Sequence, residues 1–75
     1  MKNTIQIFIN QRFWKEIPAT VDSTGVFDYA PALTQIQDAL TTGNAFLIFN
    51  IRKPSDLVSI ELRPVMTIEQ LPMGL

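Results

Sequence analysis

Asp22, Ser23, Thr24 and Asp28 gather around Gly25 in one polar stretch of an otherwise apolar chain. Two kinds of chemistry use such a group. A pair of carboxylates can work as general acid and general base when a cleft gives them different environments. A run of oxygen donors can also hold a hard cation, but calcium loops need acids at alternating positions and a closing glutamate, and this stretch has neither. Turn and helix-cap positions account for Asp22 and Asp28 without any catalytic role.

The other routes to catalysis are closed by composition. There is no histidine and no cysteine among the 75 residues. Ser–His and Cys–His nucleophiles therefore lack a base, a nucleophile or both, and zinc or copper sites built from thiolate and imidazole have no ligands. The three glycines, Gly25, Gly43 and Gly74, stand apart and form no phosphate loop. The expectation is a protein without enzymatic activity and without a cofactor or metal.

Aromatic and cationic side chains suggest a different use. Phe8, Phe46 and Arg52 on one open sheet face could stack single-stranded bases, with Arg12, Lys15, Lys53 and Arg63 collected nearby. Against this, the aromatic–glycine signature of the commonest RNA-binding sheet is missing and aliphatic Ile48 and Leu57 would share the face. The net charge is -1, whereas phosphate binding depends on an excess of Lys and Arg. A protein interface explains the aromatics better. Single-stranded nucleic-acid binding is the alternative, and carriage of a small apolar ligand between helix and sheet is a further one.

These side chains need elements to carry them. Ile5, Ile7 and Ile9 alternate with Gln6, Phe8 and Asn10, the period of a strand. Asn10 to Arg12 are turn-tolerant, and Phe13 to Ile17 completes a hairpin that Pro18 ends. After the loop around Gly25, Asp28 can cap a helix and Pro31 fits its first turn. Tyr29, Leu33, Ile36 and Leu40 form its apolar stripe, and Gly43 supplies a left-handed closing residue, which predicts a helix from Ala30 to Thr42.

Ala45 to Arg52 reads as a strand apolar on both faces. Leu57 to Arg63 reads as a half-buried strand ended by Pro64, after a turn at Lys53 to Asp56. Residues 66–75 carry Pro72 and Gly74 and predict an irregular tail. The expected fold is α+β: one domain over residues 1–75, with a four-stranded, mainly antiparallel sheet and one helix across one face, in the order β-β-α-β-β.

In that fold the helix covers Ile5, Ile7, Ile9, Leu47, Phe49, Ile51, Val58, Ile60 and Leu62. Phe8, Phe46, Ile48 and Leu57 are left on the second sheet face, with Phe13 or Trp14 beside them depending on the hairpin register; the single tryptophan, Trp14, reads equally as an interface anchor or as core packing at the sheet's edge. Each gains roughly 1.5 to 3 kcal/mol on full burial. The tail, a second copy or a foreign protein must cover them. The expectation is an interaction or assembly module, homodimeric or docked on a protein partner, with Phe8, Trp14, Phe46, Ile48 and Leu57 at the interface.

The length and the strand, strand, helix, strand order resemble ubiquitin-like β-grasp domains. The chain ends Pro72, Met73, Gly74, Leu75 where the sulfur carriers and modifiers of that family end in Gly-Gly, so the resemblance implies an architecture and no conjugation chemistry. At 47% hydrophobic and 17% charged the chain is expected to fold. No signal peptide is expected from its first residues, and no apolar run is long enough to span a membrane. The lack of cysteine fits a reducing compartment, and the cytoplasm is the expected location.

Overall fold

The structure, a computed structural model, describes residues 2–67. It contains β1 (Lys2–Ile9), β2 (Arg12–Pro18), α1 (Ala30–Thr41), α2 (Ala45–Phe49), a short 3-10 turn (Pro54–Asp56) and β3 (Ile60–Thr67). The three strands form one antiparallel sheet in the order β2-β1-β3. The expected four-stranded sheet with one helix is therefore corrected: the described residues hold three strands and two helices, in the order β-β-α-α-β.

The correction falls on the segment 45–52, and its cause is local. Gly43 closes α1 with φ +78°, and Asn50 is left-handed with φ 59° and ψ 35°. A strand cannot pass through a left-handed residue without breaking, whereas a helix ends there readily. Ala45, Phe46, Leu47 and Phe49 are not β-branched, so the stretch between these two residues forms a helical turn. The amide of Asn50 closes it by donating to the Phe46 carbonyl at 3.0 Å.

β1 and β2 join through a tight turn in which Asn10 and Gln11 both have positive φ, 50° and 67°, the geometry that matches the twist of a hairpin. Phe8 pairs with Phe13 but Ile7 pairs with Lys15, so Trp14 is an extra residue on β2. This bulge decides the faces. Strict alternation from Phe13 would put Trp14 on the helix side but Ile17 on the same side as Phe13, away from the helices; the extra residue brings Ile17 onto the helix side as well. Both pack against the core there.

That core is Ile5, Ile7, Ile9, Ala32, Ile36, Ala45 and Ile51. In α1 the small residues Ala32 and Ala39 are buried with Ile36, while Leu33, expected in the buried stripe, is 53% exposed. Asp28 accepts a hydrogen bond from the amide of Ala30, the first residue of α1, at 3.0 Å, but the N-cap position falls on Tyr29, which makes no side-chain cap bond.

β3 begins at Ile60, later than the expected Leu57, and continues through Pro64 to Thr67 instead of stopping. Pro64 is tolerated because β3 is an edge strand, where a missing N–H need not break a ladder. Val58 and Ile60, expected in the core, are 81% and 42% exposed. The rest of the expected tail, 68–75, lies outside the described residues.

Candidate functional site

The turn that closes the hairpin also fixes the loop that follows α2. The Asn10 side chain donates to the Asp56 carbonyl at 2.8 Å and accepts from the amides of Val58 and Ser59 at 2.7 and 3.1 Å. The Asp56 carboxylate in turn accepts from the amides of Arg52 and Lys53 at 2.8 and 3.2 Å. Residues 52–59 are thereby tied to the end of the sheet, with the Ile51 side chain buried beneath them.

α2 is held on one side only. Ala45 is buried and Phe49 stacks edge-on against Trp14, ring centres 4.9 Å apart. These two positions are one helical turn apart and share a face. Phe46, Leu47 and Ile48 are left 45%, 81% and 43% exposed. On one flank of the helix lies an open groove of about 670 Å³, lined by Leu40, Phe46, Ile51, Pro54 and Leu57 with Arg52 and Lys53. The Arg52 guanidinium sits 5.0 Å from the centre of the Phe46 ring, a cation–π distance. On the other flank, a small hollow of about 100 Å³ lies between Ile48, Trp14 and Arg12.

The residues expected at an interface are thus redistributed. Phe46 and Leu57 meet in the groove, and Trp14 and Ile48 meet in the hollow, all on the helix side of the sheet. Phe8 is on the opposite face. It packs edge-on against Phe13 at 5.5 Å, under the Arg63 guanidinium at 4.4 Å. The second sheet face expected to display Phe8, Phe46, Ile48 and Leu57 together does not exist, because the strand that would have carried Phe46 and Ile48 is α2.

The true second face is mixed. Gln6, Glu16, Glu61 and Arg63 accompany the two phenylalanines, Arg63 is ion-paired to Glu61, and the Thr4 hydroxyl donates to the Glu16 carboxylate. Glu61 holds the Arg63 guanidinium above its ordinary pKa, first by a hydrogen bond and then by charge.

The polar loop is occupied by its own chain. One Asp22 carboxylate oxygen accepts from the Thr24 hydroxyl at 2.6 Å and from the Thr24 and Val26 amides at 2.8 and 3.0 Å. The Thr24 hydroxyl and then these amides hold the Asp22 pKa below its ordinary value of 3.8, against a small opposing effect of burial. Asp28 accepts from the Ala30 amide at the start of α1, so both acids have architectural partners.

Leu47, expected in the core, was missed as a surface residue of the site, whereas Arg52 and Lys53 were expected near Phe46 as part of a nucleic-acid face. The signal was the spacing of Ala45 and Phe49 between two residues able to turn left-handed, Gly43 and Asn50, which places Leu47 opposite the anchored face. Fold and site together define a small α+β domain with an exposed apolar helix. Comparison with known proteins finds no matching family, no matching curated protein and no matching solved structure. Among the described residues no helix is long and apolar enough to cross a membrane.

Proposed function

We propose that this chain is a non-enzymatic interaction module that pairs with a second copy of itself through α2. The observation that carries the reading is the run Phe46, Leu47, Ile48, of which Leu47 is 81% exposed. Phe46, Leu47 and Ile48 span the unanchored side of α2 from the groove on one flank to the hollow on the other, an exposed apolar surface of the kind that marks a contact site. Covering each is worth roughly 1.5 to 3 kcal/mol, a sizeable part of the modest stability that a chain of this length can reach. A two-fold pair brings the same patch from both copies together, and closed two-fold pairing is the commonest way small proteins bury such surface. The cytoplasm is the expected setting on the cysteine argument alone.

The aromatic pair Phe8–Phe13 supports nucleic-acid stacking less well. Phosphates approaching that face meet Glu16 and Glu61, and its Arg63 is engaged by Glu61.

Light scattering behind a sizing column tests the reading. The expected mass is twice that of the chain at high concentration, falling to the single-chain mass in Leu47→Ser with the fold retained. A single-chain mass at every concentration overturns it.

A further inference from the structure

We propose that the groove between the end of α1, α2 and the 52–57 loop binds an amphiphile with an apolar chain and one carboxylate. Its volume, about 670 Å³, lies in the range of ligand sites, roughly 300 to 1,000 Å³. Its lining is apolar apart from two residues, Arg52 and Lys53, and both are cations. A protein of net charge -1 has placed two of its six basic residues there with no acid in the lining.

Neither cation has a carboxylate partner among the described residues, where Arg63–Glu61 is the ion pair present. Asp56 is close in sequence but does not line the groove. Its carboxylate is held by the Arg52 and Lys53 amides, and it borders a second hollow with Asn10, Arg12 and Arg52, so that Arg52 lines both hollows while Lys53 lines the groove alone. Those same bonds fix the backbone that presents the two cations. Arg52 is further steadied on the Phe46 ring, with the planar fork of its guanidinium free to receive a carboxylate. An apolar tail would lie along Leu40, Phe46, Ile51 and Leu57 while its head meets Arg52 and Lys53. The charge selects the head and the lining selects the body. This reading shares Phe46 with the self-association patch but does not depend on that pairing.

Decanoate, decanol and decyltrimethylammonium, each below its micelle concentration, are the probes, followed by backbone amide shifts at fixed protein concentration. Decanoate is expected to shift amides of residues 40–57 saturably, and about ten-fold more tightly than decanol, the gain of one charge-assisted contact. The cationic probe should bind more weakly than the alcohol. In Arg52→Gln/Lys53→Gln, which keeps both amides that Asp56 holds, decanoate should fall to the level of decanol while decanol is unchanged. Lys53→Gln alone, an exposed position, serves the same purpose if the double variant loses its dispersed spectrum. Equal binding of the three probes, shifts centred outside the groove, or a carboxylate preference that survives the substitutions overturns the proposal. The mass of the protein enters none of these readouts, so failure here and failure of the self-association are told apart.

Discussion

β1 and α2 are built from the same kind of residue and dispose of it in opposite ways. In β1 the side chains of Ile5, Ile7 and Ile9 are buried, whereas in α2 Phe46, Leu47 and Ile48 are exposed. The difference is in the neighbours. β1 is the central strand, paired along both edges, with the core residues of α1 over its helix-side face. α2 meets the core only through Ala45 and the half-buried Phe49. Apolar content alone does not determine burial; the number of sides on which an element is held does.

The largest expected effect puts this contrast to the test directly. Ile7→Ala removes a fully buried side chain at the centre of the sheet and should cost about 2 to 5 kcal/mol by urea denaturation. Leu47→Ser, on an 81% exposed residue, should change the stability of the single chain by no more than about 0.5 kcal/mol. If the two substitutions cost the same, α2 is core and the contrast fails.

A smaller effect is expected where the two regions are joined. Asn10→Gly keeps the left-handed turn, since glycine accepts positive φ freely, but deletes the side-chain bonds to Asp56, Val58 and Ser59. A loss of about 2 kcal/mol is expected. Amide hydrogen exchange should show Val58 and Ser59 losing protection while Ile5 and Ile7 keep theirs. Uniform loss across the sheet would mean that Asn10 serves only the hairpin.

The hairpin was legible because its signals are local and agree with one another. Ile5, Ile7 and Ile9 have the period of a strand, Asn10 favours positive φ, and Pro18 closes β2. The helix α1 was legible from Asp28, Pro31 and Gly43. Its buried face was not, because alanine and leucine both fit a stripe and only the closeness of the sheet selects Ala32 and Ala39 over Leu33. AFLIF was misread because a short apolar run carries no period that separates strand from helix. What decides is the residue after it, and an asparagine reads equally as a strand end or as a helix stop. The groove was invisible for the same reason: Arg52 and Lys53 face Leu40 only once 45–49 is a helix.

Position 50 therefore offers the sharpest test of α2, although the energy involved is small. Asn50 ends the helix with φ 59°. A residue with a Cβ is disfavoured there by roughly 1 to 2 kcal/mol, asparagine less so, and glycine hardly at all. In a strand the preference reverses, since glycine is worse than alanine by roughly 0.5 to 1 kcal/mol. The stabilities of Asn50→Gly and Asn50→Ala, measured side by side by urea denaturation, thus differ in sign between the two folds. With α2 as described, the glycine variant should be the more stable by about 1 kcal/mol. An alanine variant more stable than the glycine variant would restore the strand at 45–52, return Phe46 and Ile48 to a sheet face and remove the groove altogether.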